Sequence, residues 1–227
     1  MTIRIASFDI GKINFAFYIE EIQTSKLEKL KSLPSIARYN KNGTPTDKMK
    51  EVLTQVYLSG KTILHKNVDI TQNCIKGKLL DPETFHNMND VLDKHSDEFD
   101  KCDIFIIEQQ LSFGKKRNPM ATKLGQHCYS YFTFKYGRFK QVIEFPAYHK
   151  TQILGAPKIE KQGKKSIRYV AMEKPKRKKW SIEKALEILA LRGEESIISS
   201  AKKKDDLADT LTQLQAFKYL SFVDKSI

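Results

Sequence analysis

The sequence predicts an α/β fold in which a mixed five-stranded sheet carries helices on both faces. Three observations lead there. Residues 3–10 (IRIASFDI) and 13–20 (INFAFYIE) alternate and are rich in β-branched and aromatic side chains, so they read as a hairpin around a Gly11-Lys12 break. Residues 102–109 (CDIFIIEQ) form a short, continuously apolar run ending in a carboxylate, the pattern of a strand buried on both faces. Helical patterns with start and stop signals separate and follow these strands.

The elements follow in order. A helix is expected from Thr46, a capping residue, to Gly60, and residues 61–70 (KTILHKNVDI) suit a third strand. A polar helix follows across 82–99, with Asp81 as its cap and Pro82 in its first turn. Asn118-Pro119 opens a helix that Gly137 ends. Its aromatics (Tyr129, Tyr131, Phe132, Phe134, Tyr136) cover more than one face, one for the core and another for a partner subunit. Residues 141–145 are the fifth strand candidate, 146–154 begin another helix, and helices at 181–192 and about 203–220 close the pattern. Three meander strands joined to two parallel crossover strands give the mixed sheet. At 227 residues the chain fits one domain, 1–227, with insertions at about 21–60 and a basic loop, flexible or folded as a hairpin, at 157–179.

Bulk composition narrows the function classes. The hydrophobic fraction of 40% suffices for a core, and no apolar run approaches the roughly 20 residues of a membrane span. With no signal sequence before the first strand, an intracellular, soluble protein is expected. Cys74, Cys102 and Cys128 form no C-x-x-C pair, so reduced packing thiols are expected. His65, His86, His95, His127 and His149 show no ligand spacing, which argues against zinc. The net charge of +13 and the pI near 9.5 suit a protein that meets a polyanion. Residues 157–179 hold ten Lys or Arg against two Glu, a local net of +8 that looks like an electrostatic footprint on phosphates.

Carboxylates carry the chemistry. Asp9 ends the first strand and Glu108 ends the apolar one; if those strands lie side by side and parallel, their carboxyl ends meet where α/β sheets gather ligands. Two such carboxylates repel unless protonated or bridged by a cation, and a hard, oxygen-seeking ion such as Mg²⁺ or Mn²⁺ resolves the conflict. The last helix (KKKDDLADTL) adds Asp206 and Asp209, three apart on one face, or Asp205 and Asp209, four apart; spacing alone does not choose. Four carboxylates suit two metals about 4 Å apart, the arrangement for in-line displacement at phosphorus. Taken singly, each Asp or Glu has an ordinary structural explanation. Their convergence at compatible ends of one sheet, near a basic stripe, favours a site.

Phe8-Asp9-Ile10-Gly11-x-x-Asn14-x-Ala16, Ile106-Ile107-Glu108-x-Gln110 and Asp205-Asp206-x-Ala208-Asp209 together resemble RuvC-type Holliday junction resolvases, nearest the poxvirus and mitochondrial branch of the RNase H-like superfamily. The resemblance implies an RNase H-like fold and a homodimer that binds four-way DNA junctions and nicks two strands symmetrically with Mg²⁺, Mn²⁺ substituting. No small-molecule cofactor is implied. By position, Asp9, Glu108, Asp206 and Asp209 match the family's metal ligands, which makes Asp205 accessory, and Lys150 matches a basic residue near the scissile phosphate. A large DNA virus is the source the resemblance suggests, acting in host cytoplasm, virus factory or nucleus. Gln109 stands where the branch often has Arg, and the 157–179 segment is longer than the family core.

For binding DNA the candidates are Lys115, Lys116 and Arg117 before a helix start, and Lys164, Lys165, Arg168, Lys174, Lys176, Arg177, Lys178 and Lys179 in the stripe. Trp180 reads as a packing staple at a helix start. The alternative functions are an RNase H-like nuclease on RNA–DNA hybrid and a catalytically silent binding module. Ribonucleases H place their acidic Glu on the first helix, and here Glu108 ends a strand, which favours the resolvase type.

Overall fold

The computed structural model describes residues 1–76, 80–110, 118–162 and 166–227. Strands β1 (Thr2–Asp9) and β2 (Phe15–Gln23) pair antiparallel, from Thr2 opposite Gln23 to Asp9 opposite Ala16. Two short helices, α1 (Thr24–Glu28) and α2 (Ser35–Arg38), precede α3 (Asp47–Leu58), whose first turn is capped by the Thr46 hydroxyl accepting from the Met49 N–H. Strand β3 (Gly60–Val68) pairs antiparallel with β2. Helix α4 (Pro82–Lys94) has Asp81 as its cap and proline in its first turn, and α5 (Ser96–Phe99) follows. Strand β4 (Ile104–Gln109) lies parallel to β1, and β5 (Gln141–Pro146) parallel to β4. Between them α6 (Pro119–Tyr136) runs from the Asn118 cap to Gly137. Helix α7 (Tyr148–Ile153), the ribbon β6 (Ile159–Gln162) and β7 (Ile167–Val170), then α8 (Lys174–Leu191), α9 (Ile197–Ser200) and α10 (Lys204–Lys218) complete the order, with a π-helical turn at Tyr219–Asp224.

The five-stranded sheet has the order β3-β2-β1-β4-β5, the expected meander plus two parallel crossover strands. Period-2 alternation sends Ile3, Ile5, Ile104 and Ile106 into one core with Leu53, Ile188, Leu211 and Leu214, and sends Ala6, Phe8, Phe105 and Ile107 into another with Met88, Phe99 and Phe132. By the same alternation Asp9 follows Ile5 and Ser7, and Glu108 follows Ile104 and Ile106. Both carboxylates therefore leave the sheet on the α10 side.

Three expectations need correction. The basic segment 157–179 holds the hairpin β6–β7, one of the two forms expected, but α8 begins at Lys174, seven residues before the expected 181. Lys and Arg are good helix formers and Pro175 fits the first turn, so local charge repulsion does not stop the helix there. The helix over 82–99 breaks at His95 into α4 and α5, which turns Phe99 into the aromatic core beside Phe8, Phe17 and Phe132. Finally, α1 and α2 form within the expected insertion; both are too short to carry a 3.6-residue signal.

Cys102 and Cys128 are buried and all three cysteines are free. Trp180 is half-buried against the α10-side core, a packing residue as expected. Among the described residues no helix is long and apolar enough to cross a membrane.

Candidate active site

Four of the five residues expected in the catalytic site meet on the α10 side of the sheet. Lys150 of α7 is buried, with its ammonium 3.0 Å from Glu108 Oε1 and 3.0 Å from Asp209 Oδ2. Asp9 and Glu108, neighbours on parallel strands, share a side-chain hydrogen bond. Gly11 shapes the turn that follows Asp9: a Cβ there would stand 2.7 Å from the Asn14 carbonyl oxygen, so the backbone needs glycine. Asp206, half-buried, lies one helical turn before Asp209. Among the described residues no hydrogen bond or ion pair links it to Asp9, Glu108 or Lys150, and it stands at the rim of the cluster.

Burial and the Glu108 charge push the Asp9 carboxyl well above the usual carboxylate range. Burial acts on Glu108 in the same direction, but the Lys150 ammonium and the hydrogen bond from Asp9 overcome it and hold Glu108 below its ordinary value. Burial and the mutual repulsion of the two carboxylates thus fall mainly on Asp9, and the Lys150 ammonium favours the Glu108 charge. Burial opposes the Lys150 charge as well, and Glu108, Asp209 and Asp9 together keep it protonated. Burial and the neighbouring Asp205 raise Asp206.

Asp205, which spacing left as a possible partner of Asp209, is engaged elsewhere. It accepts from Lys178 and Lys203, and although burial works against its charge these two lysines hold it ionised. That engagement suits its accessory reading.

Other side chains hold α10 in place, and sequence reasoning missed them. Gln213 donates to Ser7 Oγ at 3.1 Å and to the Phe8 carbonyl at 3.2 Å, locking α10 to β1 one residue before Asp9. Ser181 of α8 donates to Asp209 Oδ1 at 2.6 Å and lies 3.3 Å from the Thr212 hydroxyl. His65 is 3.0 Å from the Leu207 carbonyl through Nε2; burial lowers it to about 4, so the neutral ring donates there. A polar Gln at a buried helical position, one turn after Asp209, was the available signal. Ser181 and His65 carry none. Ser181→Ala is expected to lower cleavage about 10- to 100-fold, as loss of a carboxylate's supporting hydrogen bond does, with DNA affinity and melting temperature unchanged. Single-turnover kinetics on a junction substrate measures this, and an unaltered rate would remove Ser181 from the site.

The nucleic-acid candidates divide. Lys115, Lys116, Arg117, Lys164 and Lys165 lie outside the described residues. Arg168 is exposed on β7, and Lys174, Lys176, Arg177 and Lys179 are exposed on the first turns of α8. Lys178 turns inward to Asp205, so it ties α8 to α10.

No family model matches the sequence. The chain covers 95% of itself and 97% of Fowlpox virus resolvase, solved in complex with substrate Holliday junction DNA, at 17% identity and a TM-score of 0.52. It covers 96% of itself and 95% of Thermus thermophilus RuvC at 10% identity and a TM-score of 0.54. Strand order and these likenesses define the class: the fold is RuvC-type, within the RNase H-like α/β group. Sequence gives the particular family. The chain is 34% identical to uncharacterized protein 170L of Invertebrate iridescent virus 6 over 98% of itself and 92% of that protein, and it belongs to that protein's family. It is also 29% identical to uncharacterized protein 97L of Invertebrate iridescent virus 3, over 94% of itself and 98% of that protein.

Proposed function

We propose that this chain is a Holliday junction resolvase, a structure-selective endodeoxyribonuclease that makes paired symmetric nicks in four-way DNA junctions. The observation that carries this reading is the meeting of Asp9, Glu108 and Asp209, from β1, β4 and α10, around the Lys150 ammonium on a RuvC-type sheet. The likeness to a resolvase solved with junction DNA and the descent shared with viral proteins support it.

The donor set suits a hard divalent cation. Three carboxylates from separate elements converge, and burial with the Glu108 charge raises Asp9, a repulsion that a cation would relieve. Among the described residues, no three Asp, Glu, His or Cys side chains form a metal cage as they stand. Lys150 explains this physically, because its ammonium already compensates Glu108 and Asp209. Asp9, Glu108 and Asp209, with Asp206 one turn away, would hold Mg²⁺, with Mn²⁺ as a substitute. When bound, the cation supplies activation of the attacking water and neutralisation of charge on the scissile phosphate. Lys150 is the positive charge this chain itself brings to a phosphate oxygen, and Ser181 and Gln213 hold Asp209 and the end of β1 still. The exposed basic residues of β7 and α8 bind the duplex arms through their phosphates.

A homodimer fits the exposed face of α6, where Phe134 is 94% exposed, with Phe139 beyond the helix 99% exposed. Purified protein is to be incubated with Mg²⁺ on a labelled four-way junction, a linear duplex and an RNA–DNA hybrid, beside an Asp209→Asn control. Paired nicks confined to the junction and lost in the control are expected, and chelation of the metal should abolish them. Cutting of the hybrid alone would make the protein a ribonuclease on the same fold. No cutting of any substrate would leave a binding module.

A further inference from the structure

The ribbon β6–β7 is the least supported element of the molecule. All but its two end residues, Ile159 and Val170, are exposed on both faces. An isolated two-stranded hairpin is marginal in water, yet this one is joined firmly at its base. The Lys158 N–H donates to the Asn42 carbonyl at 2.6 Å, and the loop carrying Asn42 closes through a Tyr39–Pro45 bridge. The Tyr39 hydroxyl donates to the Ile153 carbonyl at 2.7 Å, on the helix that supplies Lys150. The ribbon is thus tied to the loop that braces the end of α7, the helix supplying Lys150, and is otherwise left bare.

Its register sorts the side chains. Opposed residues of an antiparallel pair share a face. Lys161 stands opposite Arg168, so one face presents two like charges directly across the ladder. Such a pair destabilises a free ribbon, and among the described residues neither side chain makes an ion pair or a side-chain hydrogen bond that would offset it. A phosphate between them would. The other face pairs Tyr169 with Glu160 and Ile167 with Gln162. There Tyr169 and Ile167, 36% and 53% exposed, form an apolar strip that no other described residue covers.

We propose that this ribbon inserts between two arms of branched duplex DNA, its Lys161–Arg168 face taking a backbone phosphate of one arm and Tyr169 stacking on a base exposed at the branch point. A ribbon of two strands is of the size that duplex grooves admit. Two bare faces of opposite character suit a place where DNA lies on both sides, which a linear duplex does not offer. The inference rests on the resolvase reading above.

The test is equilibrium binding in EDTA, where cleavage is suppressed, to a four-way junction and to a linear duplex over a range of salt. Two variants are needed, Lys161→Ala/Arg168→Ala and Tyr169→Ser; these side chains are exposed, and circular dichroism checks folding. The double variant is expected to bind both DNAs more weakly, with the slope of log K against log salt smaller by about 1, near 0.9 for the one lost phosphate contact. Tyr169→Ser is expected to lose about tenfold on the junction, the scale of one base–aromatic stack, and little on the duplex. Unchanged affinity and salt slope in the double variant, together with a full junction preference in Tyr169→Ser, overturns the ribbon's role and leaves the resolvase reading standing. If the salt slope falls but Tyr169→Ser keeps the full junction preference, the placement between arms is overturned. If the wild-type protein itself shows no preference for the junction, the resolvase reading fails and the ribbon's placement falls with it.

Discussion

Asp9→Asn is expected to reduce junction cleavage by on the order of 10³-fold or more, since a metal-bound transition state is stabilised by several kcal/mol and each 1.36 kcal/mol is a decade in rate. Junction affinity in the same variant should stay equal or rise. Asparagine keeps the shape of the side chain and removes a carboxylate that burial and Glu108 already strain, and it lowers repulsion of the approaching phosphates. Folding should therefore be preserved or improved. Cleavage rates, junction dissociation constants and the melting temperature separate the outcomes. If binding and folding were lost together with cutting, Asp9 would be a structural residue and the proposed site would be wrong.

The second large effect lies away from the site. Glu20 on β2 is fully buried and accepts four hydrogen bonds, from Arg192 at 3.0 Å, Lys218 at 2.6 Å, Tyr18 at 2.8 Å and Gln215 at 2.7 Å. Gly60 makes room for it, because a Cβ there would fall 1.8 Å from Glu20 Oε1. Removing the anion from a buried ionic cluster costs about 3–5 kcal/mol. Among the described residues, Glu20→Gln leaves Glu194, 3.8 Å from Arg192, as the remaining carboxylate paired with the two cations. The melting temperature is expected to fall by roughly 10 °C, at about 2–4 °C per kcal/mol for a chain of this size. Calorimetry or thermal circular dichroism reads this directly, and a shift below about 2 °C would show that the cluster is not holding the fold.

The cluster also sets a pH dependence whose sign can be worked out. Burial opposes the Glu20 charge, but Arg192 and Lys218 hold its pKa down at about 2, below the unfolded 4.5. Its contribution is present above the unfolded pKa and is lost as pH falls towards 2. Burial brings Lys218 down to about 8, below the unfolded 10.5. Between those values the unfolded state binds more protons, so stability rises with pH there too. In Lys218→Met the gain between about pH 8 and 10 should be missing. Urea midpoints for the two proteins across that range test it, and parallel curves would show that Lys218 does not titrate as described.

Much of this architecture was legible because strand alternation and caps are local signals. The helix starts at Thr46, Asp81 and Asn118 lie where capping chemistry puts them. The parity of Asp9 and Glu108 is likewise a local property, since a strand's period decides which side of the sheet its last residue faces. The helix start at Lys174 was hidden because a run of lysines satisfies a helix and a solvated loop equally. Ser181 and Gln213 were hidden for another reason. Their value comes from what lies opposite them in space, 28 residues away for Ser181 and Asp209 and 206 for Gln213 and Ser7, and no spacing rule reaches that far. The choice between Asp205 and Asp206 belongs to the same kind: only the packing of Lys178 and Lys203 shows Asp205 engaged elsewhere.

If the proposed activity holds, the clamp of α10 onto β1 bears on when the chain would become able to cut. Asp9 and Glu108 come together only when β4 has crossed over to lie beside β1, and Asp209 joins them only when α10 has docked through Gln213 and Ser181. The strands through β5 alone would bring together two of the proposed acids and leave out Asp209. Under the proposed function, partly made or partly unfolded molecules would lack the complete site, so competence to cut would arrive together with the finished shape.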